Sequence, residues 1–125
     1  MRVLLVDDEV TIAVTLQDAL EEAGHEVLVA AETDAALRLL ERERPDVVLT
    51  DMRMPGAGGM EVLRRSVELD ARRPVVVMTG FGTIDQAVEA MRIGAANYIQ
   101  KPFRNEAIVS MVGTFARVRD LETEI

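Results

Sequence analysis

Five short apolar runs punctuate the chain, at residues 3–6, 27–30, 47–50, 75–79 and 96–99. They are nearly continuous in Val, Leu and Ile and do not alternate with polar residues, as strands buried on both faces of a parallel sheet do not. Each run predicts a strand. Between them, apolar residues recur at helical spacing: Ile12, Leu16, Ala19, Leu20 and Ala23, then Ala36, Leu37 and Leu40, then Val62, Leu63 and Val67. Ile84, Val88 and Met91 mark a fourth helix, and Ile108, Met111, Val112 and Phe115 a fifth. Gly24 and Gly94 stand where helices stop, Pro45 and Pro74 just before strands, and Thr33 and Asn105 are expected caps. Right-handed crossovers would fold five strand–helix units into an α/β domain, a doubly wound five-stranded parallel sheet with helices on both faces.

Composition narrows the function. A chain of 125 residues, 49% hydrophobic, is the size of one domain with a genuine core, and no linker or second domain is evident. A formal charge of -8 argues against direct nucleic-acid binding, because phosphate backbones attract basic surfaces. No run approaches the roughly 18 apolar residues of a membrane span, and no signal-peptide pattern follows Met1. A cytoplasmic location is expected. The absence of cysteine excludes disulfides, thiolate metal sites and a cysteine nucleophile. Thirteen of the fourteen basic residues are arginine, and the only lysine is Lys101. On composition alone that lysine is either a leftover of coding bias or a residue with a role specific to an ammonium.

In open parallel sheets, ligands sit beyond the carboxyl ends of the strands, where strand order reverses. The residues expected there are Asp7 and Asp8 after the first strand, Asp51 after the third, Thr79 at the fourth and Lys101 shortly after the fifth. Converging carboxylates repel one another, and a hard divalent cation relieves the repulsion. Magnesium fits best, with manganese as an alternative, since two carboxylates and a backbone carbonyl would suffice. A carboxylate is also a nucleophile toward phosphorus, and Asp51 stands before a loop rich in turn residues, Pro55, Gly56, Gly58 and Gly59. Lys101 and the Thr79 hydroxyl would neutralise and position a phosphoryl group. Taken singly, each of these residues has an ordinary reading as a cap, a strand end or a solvated loop charge.

With Asp7-Asp8, Asp51 followed by Met54-Pro55-Gly56 and Gly59, Thr79-Gly80, and Lys101-Pro102-Phe103, the sequence closely resembles response-regulator receiver domains over nearly its whole length. The resemblance implies a flavodoxin-like (βα)5 fold, with Asp51 as phosphoacceptor. It implies magnesium on Asp7, Asp8, Asp51 and the backbone carbonyl of Arg53. Thr79 and Lys101 would contact the phosphoryl oxygens, Pro102 would follow a cis peptide, and Tyr98 would be the aromatic switch that turns inward behind Thr79. The phosphodonor would be a sensor histidine kinase or a phosphotransfer protein. The responding surface would be the fourth helix, fifth strand and fifth helix, residues 84–116, facing an output domain or partner. The segment from Thr79 to Met91 looks most like receivers of the nitrogen-regulatory (NtrC-like) class of transcriptional activators. Arg53 and Phe81 flank the site as positions that tune hydrolysis.

The receiver is expected over residues 1–119, with 120–125 as a tail or the start of a linker helix. Val118, Leu121 and Ile125 either continue a helix toward a further domain, form a homodimer seam, or belong to a frayed tail. His25 matches no site of the family, and a surface turn is its expected place. A stand-alone phosphorelay intermediate or adaptor is the alternative role. An aspartyl-nucleophile phosphatase would carry an acid two residues after the nucleophile, where Arg53 stands. A dinucleotide-binding module would carry its glycine fingerprint after the first strand, where Asp7-Asp8-Glu9 stands. The chain therefore reads as a switch that assists only its own phosphorylation and dephosphorylation.

Overall fold

The computed structural model describes residues 1–80 and 82–123. Its strands are β1 (Arg2–Val6), β2 (Glu26–Ala30), β3 (Val47–Asp51), β4 (Val75–Thr79) and β5 (Asn97–Gln100). Its helices are α1 (Val10–Glu22), α2 (Thr33–Glu43), α3 (Gly59–Leu69), α4 (Ile84–Ile93) and α5 (Asn105–Thr123). All strand pairs are parallel, in the order β2-β1-β3-β4-β5, so the chain reverses direction across the sheet at β1 and β3. The predicted α/β architecture is the observed one.

The continuous apolar runs hide a period of two that the burial reveals. Leu4, Val6, Val48, Val75 and Val77 pack with α2 and α3 residues such as Leu40, Val62 and Leu63 on one face. Val3, Leu5, Val47, Leu49, Val76 and Met78 pack with Leu16, Leu20, Ile108 and Val112 of α1 and α5 on the other. Successive side chains of a strand point to opposite faces, so a strand covered by helices on both sides must be apolar at every position. That holds for β1 beyond Arg2 and for β3 and β4 until Thr50 and Thr79, where the still-buried strands turn polar at their carboxyl ends. It fails at the edges: Glu26 and Val29 of β2 and Asn97 and Gln100 of β5 are exposed, because an edge strand has a neighbour on one side only. Helix anchorage is uneven too. Helix α3 buries Gly59, Val62, Leu63 and Ser66, whereas α4 buries only Ala90.

Two cap expectations need correction. Thr33 and Asn105 are the first residues of α2 and α5 rather than the residues before them, and Glu32 precedes α2 without a side-chain cap. The capping box forms instead at α4. There the Thr83 hydroxyl accepts from the Gln86 amide at 3.1 Å, and the Gln86 side chain accepts from the Thr83 amide at 3.3 Å. Gly94 closes α4 with φ of 130°, as expected of a residue free of a Cβ. Helix α5 runs on through Thr123 with Val118 and Leu121 exposed, while Ile125 and Phe81 lie outside the described residues. No helix among the described residues is long and apolar enough to cross a membrane.

Candidate functional site

The sheet ladder itself carries the polar residues to one edge. Beyond the last paired residues, the Asp7 amide donates to the Ala30 carbonyl at 3.0 Å and the Met52 amide to the Met78 carbonyl at 3.0 Å. The Lys101 amide donates to the Thr79 carbonyl at 2.8 Å. These bonds extend the sheet by one step, so Asp7, Asp51, Thr79 and Lys101 leave neighbouring strands at the same edge, within two residues of one level. The Lys101–Pro102 peptide is cis.

Asp7, Asp8 and Asp51 each bring a carboxylate oxygen within 4.8 Å of the others. Asp7 and Asp51 are buried, and Asp8 is exposed. Lys101 reaches into the cluster: its Nζ donates to Asp7 Oδ2 at 2.9 Å, Glu9 Oε1 at 3.0 Å and Asp51 Oδ2 at 3.3 Å. One ammonium thus contacts three carboxylates, with Asp8 a fourth in the cluster, and the site keeps an excess of negative charge. Burial raises the pKa of Asp51, and the neighbouring Asp7 raises it further, against the pull of Lys101. Burial alone would lower the pKa of Lys101, but its hydrogen bonds to Asp7 and Glu9 and the field of Asp7 and Asp51 win, and its pKa lies above the usual lysine range. Three clustered carboxylates with surplus charge suit a hard divalent cation.

The loop after Asp51 is shaped to return onto it. The Gly59 amide donates to the Met52 carbonyl at 3.0 Å, and a Cβ at Gly59 would overlap the Asp51 carbonyl. The Arg53 amide lies 3.5 Å from Asp51 Oδ1, a long contact that holds Arg53 beside the acid. On the other side of the site, Thr79 is buried and Tyr98 packs half-buried against the core. The Tyr98 hydroxyl is buried without a well-formed hydrogen bond, and burial raises its pKa while the adjacent Thr79 side chain partly offsets the rise. It occupies space that exists because residue 82 is glycine: a Cβ there would overlap it.

The structure therefore brings together Asp7, Asp8, Asp51 and Lys101, sets Arg53 beside them, and sets Tyr98 beside Thr79. Glu9 was not foreseen. Its amide donates to Asp7 Oδ1 at 2.9 Å, a short turn that aims its own carboxylate back at Lys101. Aspartate followed two residues later by another acid is the signal that could have revealed it. His25 lies apart, with Nδ1 3.1 Å from the N-terminal amine; burial and that charge lower its pKa.

A family described as response regulator receiver domain matches this chain over residues 3–113. The chain belongs to that family. This receiver domain is 40% identical over 115 residues to the response regulator protein FleR of Pseudomonas aeruginosa, covering 92% of this chain and 24% of FleR. It is 36% identical over 102 residues to sporulation initiation phosphotransferase F of Bacillus subtilis, covering 82% of each. Among solved structures, a response regulator protein from Burkholderia pseudomallei with a phosphorylated aspartic acid, calcium ion and citrate superposes with a TM-score of 0.83 at 30% identity. That match covers 97% of this chain and 72% of the other. AtoC of Escherichia coli and DctD of P. aeruginosa also match, which supports the NtrC-like class. The receiver spans about a quarter of the length of these regulators.

Proposed function

We propose that this receiver domain takes a phosphoryl group onto Asp51 from a sensor histidine kinase or a phosphotransfer protein and thereby changes its α4–β5–α5 face. The observation that carries the reading is the Lys101 ammonium joined at once to Asp7 and Asp51 beside a cluster of three aspartates. Asp7, Asp8, Asp51 and the Arg53 backbone carbonyl would hold magnesium, or manganese in its place. The cation would supply positive charge against the transferring group. An Asp51 carboxylate oxygen attacks phosphorus, the bond from phosphorus to the donor breaks, and the donor leaves with its electron pair. Lys101 keeps a positive charge throughout, since its pKa is raised, and it exchanges a carboxylate contact for a phosphoryl oxygen.

Thr79 lies at the end of β4 next to Tyr98, so a hydroxyl drawn toward the phosphoryl group vacates space behind it. Tyr98 fills that space. The surface formed by α4, β5 and α5 then presents a different shape to an output domain or partner protein, in the service of transcription regulation. FleR, AtoC and DctD make such an output the favoured reading. The match to most of the length of sporulation initiation phosphotransferase F supports a second, a stand-alone phosphorelay intermediate. In both readings the domain is cytoplasmic, assists only its own phosphorylation and dephosphorylation, and binds no nucleic acid directly. The receiver occupies residues 1–119, with the end of α5 leading into a linker or a homodimer seam.

Incubated with magnesium and acetyl phosphate, the protein is expected to gain one phosphoryl group on Asp51, read by intact mass and peptide mapping. Label on another residue, or uptake unaffected by EDTA, would overturn the assignment. Lys101→Ala is expected to cut the rate of uptake by about 10-fold or more, since it removes the charge-assisted contacts to the buried Asp7 and Asp51. A parental rate in that variant would remove Lys101 from the chemistry.

A further inference from the structure

We infer that Thr33 is a positioning residue for the site: its hydroxyl clamps the tip of the loop that carries Arg53. A threonine at the start of a helix ordinarily spends its hydroxyl on that helix. Thr33 does not. Although it opens α2, its Oγ1 donates to the Pro55 carbonyl at 3.2 Å and accepts from the Gly58 amide at 2.8 Å. The Thr33 amide donates to the same Pro55 carbonyl at 3.2 Å. Thr33 is buried, and its Cβ and Oγ1 press against Gly56, whose φ of 100° and lack of a Cβ permit the approach.

The loop is thus tied twice. At its base the Gly59 amide closes onto the Met52 carbonyl, and at its tip Thr33 grips Pro55 and Gly58. Arg53 lies between the two ties, with its amide 3.5 Å from Asp51 Oδ1. Slack at the tip would let the Arg53 carbonyl drift from the three carboxylates, and magnesium tolerates little departure from about 2.1 Å octahedral coordination. The Thr33 hydroxyl spends its bonds on Pro55 and Gly58, so it acts through the loop. The inference rests on the proposed role of the Arg53 carbonyl.

Valine matches threonine in shape but lacks the hydroxyl, and serine keeps the hydroxyl but loses a methyl. Parent, Thr33→Val and Thr33→Ser proteins are compared by calorimetric titration with magnesium chloride and by amide hydrogen exchange at Gly58 without metal. Thr33→Val is expected to weaken magnesium binding about three- to tenfold, the usual effect of one hydrogen bond, and to speed Gly58 exchange. Thr33→Ser is expected to stay near the parent in both. If Thr33→Val binds magnesium as the parent does, or if Thr33→Ser is as impaired as Thr33→Val, the clamp is refuted. If the parent itself takes up no magnesium, the metal reading above fails instead; the clamp then falls only if Gly58 exchanges equally in parent and Thr33→Val.

Discussion

Asp51→Asn is expected to take up no phosphoryl group from acetyl phosphate and, in EDTA, to melt at a higher temperature than the parent. The first effect follows from losing the nucleophile, since an amide oxygen forms no stable phosphoryl ester under these conditions. The second follows from charge. Asp51 is 4% exposed, and burial and Asp7 raise its pKa above the ordinary 3.8 against the pull of Lys101. A raised carboxylate pKa means that the folded state binds its proton more tightly than the unfolded state. The associated stability is fully present below the unfolded value of 3.8 and is lost as pH rises through the folded value. The stability difference between Asp51→Asn and parent should therefore be smallest in acid and level off once Asp51 is ionised.

Relief of such a buried charge is worth on the order of 1 kcal/mol, or about 4 °C in a domain of this size. Lys101 stays satisfied in the variant, because Asp7 and Glu9 still accept from it at 2.9 and 3.0 Å. Magnesium should reverse the ranking. It binds the folded parent and not the unfolded chain, so it raises the parental melting temperature, while the variant has lost one ligand. Thermal melts of both proteins with EDTA and with millimolar magnesium, repeated across pH, decide the matter. An Asp51→Asn protein that melts below its parent in EDTA would show that Asp51 is held by favourable contacts and is not a strained charge.

Gly59→Ala is expected to produce the largest loss of stability of any small substitution near the site. Alanine is ordinarily the better helix residue, by about 1 kcal/mol. Here its Cβ would overlap the Asp51 carbonyl and press on the Met52 backbone, the buried end of β3 and the residue after it. Overpacking against backbone costs about 3 kcal/mol, for a fall of about 10 °C in Tm. Gly82→Ala offers the contrast, because its Cβ would meet side chains, the Tyr98 hydroxyl and the Thr79 methyl, rather than backbone. Urea melts of Gly59→Ala measure the loss, and a Tm within about 2 °C of the parent would mean that α3 shifts to accept the methyl.

The architecture was legible because parallel strands covered on both faces leave uninterrupted apolar runs, and β1, β3 and β4 are such strands. The edges blurred the pattern: the reading placed the fifth strand at 96–99, while β5 is Asn97–Gln100, since its exposed positions admit polar residues. Asp7, Asp8, Asp51 and Lys101 were legible because they stand where strands end. Glu9 escaped notice because a turn between residues 7 and 9, not a strand, aims it. Thr33 was read as a cap because its type suits one, and a bond spanning 25 residues leaves no local trace. The clashes waiting at Gly59 and Gly82 depend on which backbone or side chain comes near in space, which neighbours in sequence do not disclose.

The uneven anchorage of the helices sets where this domain can yield. Asp51 sits at the end of the central, wholly buried β3, flanked by β1 and β4, so the proposed phosphoacceptor is mounted on stiff material. Helix α4 fully buries only Ala90, with Ile93 half-buried against the core, and its neighbour β5 is a half-exposed edge. A charge change at Asp51, as proposed, would meet a rigid mount and act most readily on the less buried α4 and β5. In mechanical terms, the site would push from bedrock, and the surface around α4 would be the part to travel.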